Sequence, residues 1–179
     1  TPLDSDVRIS VASATVKCTG RYGAVVVYSA SGDMELEDAT GDVKIQTASG
    51  NAQINNVGSK FSVKTASGGV RANDVTGSTI LRSASGALEI AQAHADVRSK
   101  SASGDLKIGV AHRGAISANS ASGKISIGVS PSARVQLDLD SKSGTIANDL
   151  GSSGDQSESA DLRIRARTAS GDIDIVRSR

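Results

Sequence analysis

The sequence predicts an all-β chain wound as a β-solenoid of about nine coils with an 18-residue repeat, and three observations carry that reading. First, a small-polar tetrad recurs: Ser29-Ala30-Ser31-Gly32, Thr47-Ala48-Ser49-Gly50, Thr65-Ala66-Ser67-Gly68, Ser83-Ala84-Ser85-Gly86 and Ser101-Ala102-Ser103-Gly104 follow one another at 18 residues. Second, apolar and polar residues alternate over short runs bounded by Gly, Asn, Asp and Ser, with no 3.6-residue stripe long enough for a helix. Third, bulk is scarce. Aromatics make up 2 % of the 179 residues, while Ser, Ala and Gly fill 72 positions, so the core must be narrow.

In chain order, a degenerate copy, Ala12-Ser13-Ala14, opens the array and the five regular tetrads follow. The spacing then stretches to 19 at Ser120-Ala121-Ser122-Gly123, 21 at Ser141-Lys142-Ser143-Gly144 and 27 at Thr168-Ala169-Ser170-Gly171. Each unit has two similar halves, as in Gly32-Asp33-Met34-Glu35-Leu36 and Gly41-Asp42-Val43-Lys44-Ile45. A half-unit strand is unstable alone, but coils stacked at roughly 4.8 Å give every backbone donor and acceptor a partner. The expectation is a single domain over 1–179, regular over 14–122 and irregular, with insertions, over 123–179.

Folding the chain on its period assigns side chains to columns. One inward column runs from Val16, Met34 and Ala52 to Ile146 and Ile173, and a second from Cys18, Leu36 and Ile54 to Asn148 and Ile175. In the other half, Val25 to Ile116 continue to Val135 and Leu162, and Val27 to Ala118 continue to Leu137 and Ile164. The tetrad alanines are expected to form a fifth inward column at a corner. Ala66→Leu or Ala84→Leu should then overpack it by about 1–3 kcal/mol, and a change at Lys64 should be silent. The tetrad Gly is expected at positive φ. Extra residues before Gly114, around Ser130-Pro131-Ser132 and over 151–159 should bulge outward, placing any specialised binding edge in the C-terminal half.

The chemistry that the sequence offers is sparse. His94 and His112 share a column one coil apart, but no third ligand from Cys, Asp or Glu is expected beside them, so no metal site and no cofactor are predicted. The Asp after the tetrad Gly gives way to Asn51, Gly69 and Lys124, so no acidic ladder forms. No P-loop, nucleophile elbow or metal-hydrolase motif appears, and no catalytic residue is assigned. One outward column is basic, Lys64, Arg82 and Lys100, with Lys44 and Arg98 two residues earlier in their coils; it is the candidate stripe for an anionic partner. The formal net charge of +1 argues against nucleic acid, and no apolar run is long enough for a membrane span. Two Ser/Thr rows flanking the alanines would make a flat hydroxyl face, which raises ice binding as a minor reading. Cys18 is the single cysteine and excludes an internal disulfide.

The Gly-Asp-x-x-Ile repeats, together with Gly104-Asp105-Leu106-Lys107-Ile108, Ser143-Gly144-Thr145-Ile146-Ala147-Asn148-Asp149-Leu150 and the ending from Leu162 to Ile175, resemble the bacterial putative-adhesin family. Its members are also called toastrack or β-strand-repeat proteins, and the actinobacterial ones are most similar. The resemblance covers essentially the whole chain. It implies a single-stranded right-handed β-helix without enzymatic activity, a binding or scaffold module linked to envelope surfaces and adhesion, in the bacterial cytoplasm or cell envelope. The partner implied is a protein or a glycan, and no family site residues carry over. A polysaccharide-acting β-helix enzyme is the minor rival.

Solenoid ends carry unpaired strand edges. The last coil in sequence, with Ile173 and Ile175, is expected to be open on one side and guarded by Asp172, Asp174, Arg177 and Arg179. That guard favours a monomer over head-to-tail filaments of the bactofilin kind.

Overall fold

The computed structural model describes residues 5–150 and 160–178. Seven coils follow in chain order, each of two strands: β1 (Val7–Ser13) and β2 (Val16–Tyr22), β3 (Val25–Ser31) and β4 (Met34–Ala39), β5 (Val43–Ser49) and β6 (Ala52–Val57), β7 (Phe61–Ser67) and β8 (Val70–Val75), β9 (Thr79–Ser85) and β10 (Leu88–Ala93), β11 (Val97–Ser103) and β12 (Leu106–Ala111), β13 (Gly114–Ser122) and β14 (Ile125–Val129). Two further coils are β15 (Val135–Ser143) with β16 (Ile146–Asn148), and β17 (Leu162–Ser170) with β18 (Ile173–Arg177). Odd strands form a first wall and even strands a second, each a nine-stranded parallel sheet, so the chain is a β-solenoid.

The last two coils are stacked out of chain order. The first wall ends β13-β17-β15 and the second β14-β18-β16, so the final coil in sequence lies inside the stack. This corrects the expected open C-terminal coil: Ile173 and Ile175 are 0 % exposed, whereas Ile146 is 43 % exposed. Composition supplies the reason. The β17 and β18 coil points Leu162, Ile164, Ala166, Ile173 and Ile175 inward, all buried, while the β15 and β16 coil, whose Ser141 matches Thr168, offers Asn148 where the other has Ile175. The more apolar coil takes the site with a neighbour on both sides. Arg165 clasps Asp138 of the end coil at 2.7 Å. Of the expected guards, Asp174 pairs with Lys124, Arg177 donates to the Pro131 carbonyl, and Arg179 lies outside the described residues.

The four inward columns are buried as read through the first seven coils, with one shift in the last two. Leu137 and Ile164 pair in the row of Ile116, and Leu139 and Ala166 in the row of Ala118; Val135 and Leu162 sit two residues upstream, level with Gly114. A two-residue shift preserves the face, so these side chains still point inward. A further buried column, Ala39, Val57, Val75, Ala93 and Ala111, escapes the alternation because it lies three residues after the preceding inward position, as Ala39 follows Leu36; Val129 joins it two residues after Ile127, across a register shift in β12–β14 pairing.

The tetrad alanines are not inward. Ala30, Ala48, Ala66, Ala84, Ala102, Ala121 and Ala169 are all exposed, and strand pairing passes over them, joining Ser29 to Thr47 and Ser31 to Ser49. The alternation simply continues: the first tetrad residue is the inward one. There Thr65, Ser83 and Thr168 are buried, and the hydroxyls of Ser29, Thr47, Thr65 and Ser120 donate to the carbonyl two residues on at 3.0–3.3 Å. Past the unpaired alanine the strand ends, and the second hydroxyl row, Ser49, Ser67, Ser85 and Ser103, is exposed while the first turns toward the core, so the two rows do not form one flat hydroxyl face.

Two devices turn the corners. A Cβ on tetrad Gly50, Gly68, Gly86 or Gly104 would come inside 3.0 Å of the backbone of its counterpart one coil away, and the same holds for Gly171 against Gly123 and Gly144 against Gly171. Positive φ, the expected reason, applies at Gly32, Gly50, Gly68, Gly86 and Gly123 but not at Gly104, Gly144 or Gly171. Carboxylates and amides then satisfy the amides of the next coil: Asp33 accepts from Asn51 N at 2.9 Å, Asn51 Oδ1 from Gly69 N at 3.0 Å, and Asp105 from Lys124 N at 2.8 Å. At the opposite corner Asp42 accepts from Ser59 Oγ at 2.7 Å and Lys60 N at 3.1 Å. Both bonds, the Ser59 one foremost, hold the Asp42 carboxyl below its usual range. Its stabilisation is therefore present above the unfolded-state pKa and is lost as pH falls through the lower folded value. Asp42→Ala is expected to cost under about 1 kcal/mol at pH 7, since solvent screens the exposed carboxylate, and less in strong acid, read from denaturant midpoints at the two pH values.

Candidate functional site

The outward columns of the two walls differ in charge. First-wall strands carry Arg8, Lys44, Lys64, Arg82, Arg98, Lys100, Lys142, Arg163, Arg165 and Arg167 against Asp138 and Asp140 alone. Second-wall strands carry five bases, Lys17, Arg21, Arg71, Lys107 and Arg177, and six acids, Glu35, Glu37, Asp38, Asp74, Glu89 and Asp174. The two acids of the first wall are both on the end strand β15. Near-neutral net charge thus conceals a basic face on one side, which composition alone does not show.

On the second wall the charges neutralise one another across coils. Lys17 meets Glu35 at 2.9 Å, and Glu89 is held between Arg71 at 2.7 Å and Lys107 at 3.3 Å. Arg71, then Lys107, keep the Glu89 carboxyl below its usual value. On the first wall, Lys64 pairs in register with Arg82 and Arg82 with Lys100, so the three stand on consecutive coils. Lys44 and Arg98 occupy the column two residues earlier on the same face. All five are exposed, and among the described residues none of Lys64, Arg82, Arg98 and Lys100 has a carboxylate partner. The sequence-assigned stripe is brought together as expected.

Sequence reasoning missed the groove beside it. Because the alanines turn outward and are small, a furrow of about 730 Å³ runs along the first wall from Ser10 and Val11 to Ala102. Ala30, Ala48, Ala66 and Ala84 lie along one side, and Tyr28, Gln46, Lys64 and Arg82 along the other. The alanine repeat itself was the available signal, assigned to the wrong face. The groove lies in the first six coils, not in the insertion-bearing C-terminal half. Tyr28, at its N-terminal end, has Arg8 Cζ 5.6 Å and Lys44 Nζ 5.9 Å from its ring centroid.

The histidine pair forms as expected, with His94 and His112 stacked at 4.4 Å between centroids and 6° between planes. The structure adds a carboxylate that the column count had not placed there: Asp74 Oδ1 lies 3.2 Å from His94 Nε2. Among the described residues no three His, Cys, Asp or Glu side chains gather as a metal-binding group. Cys18 is buried, and desolvation pushes its thiol up. Ser130 to Ala133 make a turn closed by the Ala133 amide on the Ser130 carbonyl at 3.1 Å; residues 151–159 lie outside the described residues. Among the described residues no helix is long and apolar enough to cross a membrane.

Parallel coils, a glycine-packed corner and a repeated outer face define a repeat scaffold of the β-solenoid class. The chain belongs to the toastrack family DUF4097, whose model matches residues 4–176. No curated protein and no solved structure matches it.

Proposed function

We propose that this solenoid is a non-enzymatic, adhesin-like binding module whose first wall docks an anionic partner. One observation carries the reading: among the described residues Lys64, Arg82, Arg98 and Lys100 of that face stand without carboxylate partners, while the bases of the opposite wall are mostly paired off. Unpaired like charges on adjacent coils cost folding energy, and a polyanion relieves that repulsion on binding. The groove lining includes two cations and no carboxylate or histidine, which supports recognition over acid-base chemistry. Retention on an immobilised polyanion tests this. The wild-type protein should be held at low salt and released as salt rises, and Lys64→Glu/Arg82→Glu/Lys100→Glu should pass unretained. Equal elution of the two would reduce the stripe to a solvated face.

End-to-end assembly is a second reading, favoured by the unpaired outer edges of β1 and β15, with Ile9 and Val11 half-buried at one end and Leu137, Leu139 and exposed Ile146 at the other. Light scattering over a concentration series decides it. Growth abolished by Ile146→Lys would establish stacking, and a constant monomer mass would dismiss it.

A further inference from the structure

Building on the anionic-partner reading, we infer that the groove takes a linear acidic polysaccharide lying along the stacking axis, one uronic-acid-type residue per coil, with the carboxylates of alternate rings over Lys64 in the groove and Lys100 just beyond its end, and Arg82 between them. The spacing of the cations selects the polymer. They are direct neighbours in the parallel register, so they recur at the coil spacing of about 4.8 Å. A sugar ring in an extended pyranose chain advances by close to that distance, and because successive rings turn over, its carboxylates recur on one face at twice it, which is the separation of Lys64 and Lys100 two coils apart. An extended acidic peptide presents side chains to one face only every 6.6 Å or so, and it falls out of step within two coils. The phosphates of a duplex strand advance about 3.4 Å along the helix axis and wind around it, so a straight column of cations soon leaves them.

The groove surface agrees with the pitch. Its alanine methyls ask for a ligand with apolar C–H edges as well as charge, which a sugar has and polyphosphate lacks. Single-stranded nucleic acid needs a succession of aromatic platforms. Here Tyr28 is the one aromatic in the lining, and Arg8 and Lys44 already lie against its ring. Beneath the groove β3, β5, β7, β9 and β11 are paired on both sides, so along its length the face offers no free backbone row for an added peptide strand.

Calorimetric titration with oligogalacturonates of two to eight residues tests the inference on the whole chain. From Ser10 to Ala102 the groove crosses six coils, roughly 24 Å, so affinity should climb with length to about five residues and then level off. Ala66→Leu and Ala84→Leu, both at exposed positions, should fill the groove and each weaken the pentamer at least tenfold while leaving the far-ultraviolet circular dichroism unchanged. Carboxyl-reduced oligomers should not bind. Binding that is independent of length, or polyphosphate or oligothymidylate binding as tightly and ignoring both leucine variants, would overturn the glycan assignment and leave the anionic-partner reading standing. No binding of any polyanion would overturn both.

Discussion

Ile175→Ala is expected to destabilise the protein by about 2–5 kcal/mol, and Ile146→Ala by less than about 1 kcal/mol. The two isoleucines fall in neighbouring inward columns, two and four residues after their tetrad glycines, and both belong to the last two coils in sequence. What separates them is the stacking order. Ile175 pairs with Ile127 on one side and Asn148 on the other and is 0 % exposed; Ile146 pairs only with Ile173 and is 43 % exposed. Deleting the Ile175 side chain therefore opens a cavity between two coils, whereas at Ile146 most of the lost surface already faces water. Stacking in chain order would reverse the ranking. Denaturant midpoints for the two variants, measured at unchanged slope, read the order directly.

The architecture was legible because a solenoid writes its geometry into its period. Eighteen residues between tetrads put Lys64, Arg82 and Lys100 in one column, and the register of β7, β9 and β11 agrees. Two things were not legible. Periodicity states which residues share a column but not which coil lies beside which, so the placing of β17 between β13 and β15 depends on relative apolarity and on the Arg165 clasp, both nonlocal. Alanine is ambiguous as well, since its single methyl suits a tight corner and an open groove alike. The Ser and Thr at the first tetrad position looked outward by polarity, yet their hydroxyls find a carbonyl two residues on and are accommodated inside. That local bond reversed the assignment of the alanine beside them and hid the groove.

Gly68→Ala is expected to cost about 3–5 kcal/mol, Gly20→Ala only about 1–2 kcal/mol, and Gly104→Ala a value between them. The three glycines separate two physical causes. Gly20, at φ 105°, has nothing within 4 Å of a built Cβ, so a methyl there meets only the cost of the left-handed backbone. Gly104 lies outside the positive-φ set, and its Cβ would instead strike the carbonyl of Gly86. Gly68 carries both burdens, φ 127° and a clash with the Gly50 carbonyl. Neither partner at Gly68 can yield freely, because each glycine directly follows a strand, ending at Ser49 or Ser67, that is fixed by pairing to the neighbouring coils. The strain must then spread along the stack, and a shift of a few tenths of an ångström at one corner displaces the alanine and lysine columns of the groove. Thermal unfolding of the three variants should rank them Gly20, Gly104, Gly68. A Gly20 variant as damaged as Gly68 would assign the whole effect to backbone conformation and dismiss coil-to-coil contact as the reason for the glycine ladder.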